Sequence, residues 1–355
     1  MGALVMRFFR LYSTLLVLAF AVLANPAHAG DQTSAAGQIA DLERLVAQYE
    51  AAFPAGKTDP AKEMPYLLAM AKLATLYAQA DRLPDTAPLN EKILARVEKI
   101  FGPENPSIVS QIEALASTYG LLGRLAEAET LRKRAIAINE RAFGADSLNV
   151  AVSLQGMASL FRLQERPDEA LAFATRALAI ASRRLSPGDP QRAIFLAQVA
   201  DIHMSGKRYD KAEPLLKQAL GIVENAKGVD PKVARLQTLQ YLQSLGVSYL
   251  MQGRHAEAQP VIDRAIATST QLFGPGHTVT GAMLMTLGLQ LLDQGRLDEA
   301  ERLYREALPI NETPGKVRAA LADNYVGLGL VAFKRKNWRE AATLSASCRS
   351  RVSII

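Results

Sequence analysis

The chain has 355 residues, a formal net charge of +6 and one cysteine, Cys348. A single cysteine excludes an intramolecular disulfide, so packing alone must hold the fold. The charge is modest, no basic stretch is interleaved with aromatic residues, and no nucleic-acid motif is present, which speaks against a nucleic-acid partner.

Residues 1–29 carry Arg7 and Arg10, then the apolar run Leu15 to Ala24, then Ala27-His28-Ala29. A charged start, a short apolar stretch and a small-residue site define a secretory signal peptide cut after Ala29, which takes the formal charge from +6 to +4. A periplasmic or secreted location is therefore expected. The apolar run is shorter than the roughly 20 residues of a membrane span, and no cysteine follows it to carry a lipid, so no stable membrane anchor is expected. Residues 30–37 read as a flexible mature terminus. Asp41 to Phe53 read as a short amphipathic helix, with Leu42, Leu45, Val46 and Tyr49 on the face that covers the next element. Gly56-Lys57-Thr58 imitates the end of a phosphate-binding loop, but Ala51 stands where its first glycine is required and no strand precedes it.

From residue 63 onward one pattern returns. Leu115 to Phe143 reads as two amphipathic helices around the turn at Gly123-Arg124. With Ala128 as anchor, equivalent positions are Thr86, Ala170, Ala212, Ala258, Ala300 and Ala341, and successive anchors are 42, 42, 42, 46, 42 and 41 residues apart. Seven residues after the anchors stand Ile93, Ala135, Ala177, Ala219, Ala265, Ala307 and Cys348; twelve before them stand Ala74, Ala116, Ala158, Ala200, Gly246, Gly288 and Gly329. Small side chains kept at one spacing mark places where neighbouring helices touch. The predicted pairs run near 63–80 and 84–101, 107–121 and 125–143, 147–163 and 167–184, 190–205 and 209–226, 232–252 and 256–273, 278–293 and 297–310, and 315–336 and 338–349. The fold expected is all-α: a solenoid of seven antiparallel helix pairs over 63–348, between the terminal segment 30–62 and a tail, 349–355. Phe101, Phe143 and Phe273, each followed by Gly, mark helix ends. The 46-residue interval predicts a longer connector or helix near Ala226 to Pro231. Cys348 falls in the small-residue column and reads as a buried spacer.

Leu115-Ala116, Tyr119, Ala128 and Ala135 resemble the tetratricopeptide repeat signature, and the 42-residue period with Phe101-Gly102-Pro103 and Phe273-Gly274-Pro275 resembles its kinesin-light-chain-like subclass. The resemblance implies a right-handed superhelix that binds a peptide or protein on its concave side. It also implies which first-helix positions line that side: eighteen, fifteen, eleven, eight and seven residues before each anchor. In repeats two to four these include Glu113, Gln155, Ser159, Arg162 and Asp201. In repeats five to seven they include Gln243, Val247, Leu250, Met251, Met285, Leu289, Leu292, Val326, Leu330 and Phe333. The wall thus turns from mixed polar to apolar along the chain. The Lys and Asn set with which such repeats clamp a C-terminal carboxylate is missing at these positions in repeats two to four. Met and Leu side chains over repeats five to seven suit an amphipathic helix; the alternative is that the chain fills this wall itself, with its tail Val352 to Ile355 or by tight winding.

Enzymatic chemistry and cofactors are not expected. His203, His255 and His277 fall in different repeats without metal-ligand spacing, and no nucleophile elbow or dinucleotide loop occurs. His203 occupies the column of Tyr77, Tyr119, Phe161 and Tyr249 and reads as a packed ring, while His277 resembles a connector histidine. Acid pairs such as Glu127 with Glu129 begin second helices, where carboxylates favour the positive helix end. The clusters Arg132-Lys133-Arg134, Arg183-Arg184 and Lys334-Arg335-Lys336 read as solvated or dipole-facing cations. Asn311 and Thr313 complete a glycosylation sequon that reads as coincidence.

Two functional expectations follow. The first is an exported, non-enzymatic scaffold holding a partner segment in the groove. The second is a regulatory or truncated half of an exported repeat-plus-effector system of the caspase-like kind, for whose protease domain no residues match here. The last pair runs out into Arg349 to Ile355, so its outer face is expected to meet a partner or a second copy, or to belong to a longer chain.

Overall fold

The computed structural model describes residues 32–52, 60–80, 82–312 and 318–353. The signal peptide and its cleavage site, most of the Ala51–Thr58 loop and Thr313 lie outside them. Among the described residues the chain forms fifteen α-helices, a 3-10 turn at Pro106–Ile108 and no strand. They fall into two compact units, Met1–Arg184 and Leu185–Ile355.

In the first unit, α1 (Gln32–Ala52) packs on α2 (Pro60–Gln79), which pairs with α3 (Leu83–Phe101); α4 (Val109–Leu121) pairs with α5 (Leu125–Phe143), and α6 (Leu148–Leu163) with α7 (Pro167–Arg184). In the second, α8 (Pro190–Ser205) pairs with α9 (Tyr209–Glu224), α10 (Pro231–Met251) with α11 (His255–Phe273), α12 (Thr278–Asp293) with α13 (Leu297–Asn311), and α14 (Arg318–Lys334) with α15 (Trp338–Ser353). Each unit is an array of antiparallel pairs, the first helix of a pair packing also on the second helix of the pair before it. The helix-repeat solenoid class expected from the period is thus the fold.

The small columns are where helices meet. Ala128, Ala170, Ala212, Ala258 and Ala300 are fully buried, as are Ala135, Ala177, Ala219, Ala265 and Ala307, and Ala116, Ala158 and Ala200. Only in the last pair do Ala341, Gly329 and Cys348 become half-buried. The turn between the two helices needs a left-handed residue at one position. Gly123, Gly253 and Gly295 supply it with φ of 76°, 73° and 75°, and Glu165, Lys207 and Lys336 adopt it at 59°, 57° and 61°. Side chains then cap the first helices: Ser147 accepts from Val150 N at 3.3 Å, Asp189 from Gln191 N at 2.8 Å, and His277 Nδ1 from Val279 N at 3.2 Å. The connector histidine is an N-cap, stacked on Phe273 with centroids 4.9 Å apart.

Two boundaries differ from expectation. Helix α1 starts at Gln32, because Ser34, Ala35 and Ala36 leave nothing to stop a helix that buries Ile39 and Val46. Helix α15 continues to Ser353, where a tail from 349 was expected, so Val352 continues the helix. The long interval appears in α10, which at 21 residues is five longer than α8 and α12 with 16 each, and Asp230 caps it by accepting from Lys232 N at 2.7 Å.

The basic clusters do not form free cationic patches. Arg132 is buried against Glu113, Lys133 pairs with Glu129, and Arg134 with Glu98. Arg183 and Arg184 share Asp146, and Arg335 holds Asp298 and Glu301. The aromatic column carries a second device: Arg124 lies over the Tyr119 ring at 3.7 Å and pairs with Glu127, while the Tyr119 hydroxyl donates to Glu91 at 2.7 Å. Burial and then this bond to Glu91 push the phenol up to about 12. Arg82 over Tyr77, Arg166 over Phe161 and Arg254 over Tyr249 repeat the arrangement.

Asn324 in α14 is fully buried, and neither its amide oxygen nor its amide nitrogen has a hydrogen-bond partner. An unsatisfied buried amide costs about 1–3 kcal/mol, and an apolar group of similar shape avoids that cost. Asn324→Leu should therefore raise the midpoint of thermal unfolding; a lower midpoint would mean that the amide is satisfied in solution.

Candidate functional site

The first helices α4 and α6 in one unit, and α8, α10, α12 and α14 in the other, carry the positions at which a wall was expected. In the first unit that wall is polar. Gln155, Ser159 and Arg162 are half-buried along α6, with Ser159 Oγ donating to the Gln155 carbonyl at 3.1 Å. Glu113 on α4 is turned to Arg132, which rises from the second helix α5. The same guanidinium donates to Ser117 Oγ at 3.0 Å. Gly156 makes room for it: a Cβ there would collide with Arg132 Nη1 and stand 2.9 Å from Glu113 Oε2. Burial pushes the Glu113 carboxyl up against the pull of Arg132, and burial likewise lowers Arg132. Arg132, Ser117 and Gly156 were not identified as a set from sequence. Their signal is a size match between columns, a long side chain four residues after one anchor facing a glycine fourteen before the next.

In the second unit the corresponding positions are largely apolar, and two of them are not open to a partner. Leu250 and Leu292 are buried and belong to the core, because the first helix of the next pair covers them: Gln294 donates to the Leu250 carbonyl, and Lys334 Nζ to the Leu292 carbonyl at 2.7 Å. Asp201, Gln243, Val247, Met285 and Leu289 are half-buried, and Met251 is exposed. Met285 Sδ accepts from the buried Asn311 amide at 3.0 Å. On α14 the wall is open: Val326, Leu330 and Phe333 are 54%, 41% and 56% exposed. They recur at steps of four and three, so they share one face. Trp338, at the start of α15, meets Phe333 edge-on with centroids 5.0 Å apart. Aromatic and aliphatic side chains left together in water form a surface suited to association.

His203 is packed as its column implied, and burial lowers its pKa, followed by Arg208 and Lys211. Among the described residues no three His, Cys, Asp or Glu side chains stand close enough to hold a metal. No helix among them is long and apolar enough to cross a membrane.

Stacked antiparallel pairs of this length, with small residues at the crossings, define a helical-repeat protein. The tetratricopeptide repeat model matches residues 108–183, 237–313 and 279–351, more than half of the chain, and the chain belongs to the tetratricopeptide repeat family. No curated protein matches it in sequence. Among solved structures it is similar to BtubC (BKLC) from P. vanneervenii, at 21% identity over 68% of this chain and 93% of that one with a TM-score of 0.55. It is also similar to kinesin-light-chain TPR-like repeats from Podosopora anserina, at 20% identity over 60% of this chain and 99% of that one with a TM-score of 0.51. The quorum sensor NprR from B. thuringiensis shares 16% identity over 88% of this chain and 82% of its own, with a TM-score of 0.59. At these identities the likeness is one of fold.

Proposed function

We propose that this protein is an exported, non-enzymatic interaction scaffold of the kinesin-light-chain-like repeat subclass, and that it holds a segment of a partner protein against α12 and α14. The observation that carries this reading is the uncovered ridge of Val326, Leu330 and Phe333 on a first helix, at the positions where the family resemblance puts the binding wall. The Phe-Gly connectors support the subclass. The leader-like residues 1–29 support export to the periplasm or beyond.

An apolar ridge with three-and-four spacing matches the apolar stripe of an amphipathic helix, and helix-in-groove docking uses that complementarity. Among the described residues the chain leaves all three of these side chains substantially exposed.

The test is Val326→Asp. Because Val326 is half in water, the exchange should leave the melting temperature within about 1 °C, consistent with the ±0.5 kcal/mol typical of surface changes. It should remove crosslinks formed in the native compartment by a photoreactive residue placed at Leu330. Crosslinks that persist unchanged would sink the reading.

A further inference from the structure

One end of the α14 ridge carries a different chemistry. Asp323 lies three residues before Val326, so Asp323, Val326, Leu330 and Phe333 run along one helix face over about 15 Å at 1.5 Å per residue. Asp293 ends the neighbouring first helix α12. Both are wall positions, and both carboxylates are exposed at the surface. Between these helices passes a side chain from the outer layer. Tyr304 of α13 is 3% exposed, and its ring is threaded through a gap made by two glycines. A Cβ at Gly288 would lie 3.3 Å from Tyr304 Cζ, and one at Gly327 would overlap the ring at Cε1 and Cζ. Cζ bears the hydroxyl, so the two glycines let the phenol oxygen reach the wall. No hydrogen bond from the described residues engages that oxygen, which is not among the solvent-shut polar atoms, as expected of a group that reaches the surface.

The charges around it are unbalanced. Asp293 and Asp323 both act on the phenol and, after burial, push its pKa up. Lys334 is the cation that faces Asp293, and its ammonium already donates to the Leu292 carbonyl. Asp323 is exposed at its edge but partly desolvated by its neighbours, which raises its carboxyl. Two carboxylates and a hydroxyl with a free acceptor position, carried on a buried ring, form a receptor for a donor-rich cation, beside a surface that takes apolar side chains.

We propose that Asp293, Asp323 and the Tyr304 hydroxyl receive an ammonium or guanidinium group from the docked segment, so that the partner is an amphipathic helix with a basic residue at one end of its apolar stripe. This rests on the docking reading above and specifies the partner's chemistry. The acid lies at one end of the ridge, so it also fixes which way the segment runs.

The probes are three labelled helical peptides with one shared leucine stripe and lysine, norleucine or glutamate at the flanking position, titrated into the full chain by fluorescence anisotropy. The lysine peptide should bind about tenfold tighter than the norleucine peptide, a difference of about 1.4 kcal/mol, and the glutamate peptide weakest. In Asp293→Asn/Asp323→Asn the three should converge, and added salt should reduce the lysine preference in the unaltered protein. Equal binding of lysine and norleucine peptides, or a preference that survives the double exchange, would overturn the cation site and leave the groove standing. Binding of the lysine peptide alone would support the cation site and remove the apolar groove; binding of none would remove both. A dimer of the free protein that Val326→Asp separates would place a second copy on the ridge and overturn the proposal.

Discussion

Gly327→Ala should lower the unfolding temperature of the last repeats, although alanine is the better helix former. Exchanging glycine for alanine inside a helix gains about 1 kcal/mol from propensity alone. Against this, the new methyl would overlap Tyr304 Cε1 and Cζ and lie 2.8 Å from Cδ1. The ring is only 3% exposed, so stepping aside would mean displacing the side chains packed around it. Overpacking a rigid buried ring costs about 1–3 kcal/mol, and complete overlap belongs at the upper end. The expected net loss is about 1–2 kcal/mol, read as a lower midpoint in urea at unchanged slope. Tyr304→Leu removes the part of the ring that is struck. In that background Gly327→Ala should stabilise, and the reversal of sign is the coupling between the two sites. If the single exchange is neutral, the phenol does not pass through the glycine gap, and the site built on its hydroxyl loses its geometry.

This gap also shows how far the sequence could be read. The helix pairs, their turns and the apolar drift of the wall were legible because each rests on one residue class returning at a fixed interval. The alanines at 128, 170, 212, 258 and 300 are conspicuous for that reason, and all are buried. The gap was not legible in the same way, because neither of its columns is constant. Four residues after the anchor stand Asn90, Arg132, Ala174, Leu216, Ile262 and Tyr304; fourteen before the following anchor stand Ala114, Gly156, Gln198, Ser244, Thr286 and Gly327. The largest members face the two glycines, so the information lies in the pair and is lost when each column is scanned alone. Leu250 and Leu292 failed for a related reason. Their position lines the wall when a repeat is considered by itself, but the next first helix covers them in the stack. Charge runs mislead by adjacency: Arg132, Lys133 and Arg134 are neighbours in sequence, but on a helix they point about 100° apart into three environments.

Arg132→Met should be the most destabilising exchange in the first unit, and its cost should depend on pH. The pair it breaks is buried: the side chains of Arg132 and Glu113 are 8% and 22% exposed. Removing one partner of such a pair costs about 3–5 kcal/mol, because the remaining charge stays in a low-dielectric site. Burial already raises Glu113 above its ordinary 4.5 while Arg132 opposes the rise, so loss of the guanidinium must raise it further. A carboxyl whose folded pKa exceeds its unfolded value binds its proton more tightly in the native state. Stability linked to it is fully present below the unfolded value and is lost as pH rises through the folded one. The deficit of the variant relative to the unaltered protein should therefore be greatest at neutral pH and shrink as pH falls toward 4.5, other carboxylates cancelling in the difference. Adding Glu113→Gln should recover most of the loss at neutral pH and flatten the pH dependence, since the amide replaces the charge at equal size. Denaturant midpoints of the three proteins at two pH values decide the matter. A deficit independent of pH, or one that Glu113→Gln deepens, would mean that the carboxylate is solvated and that Arg132 acts through its packing alone.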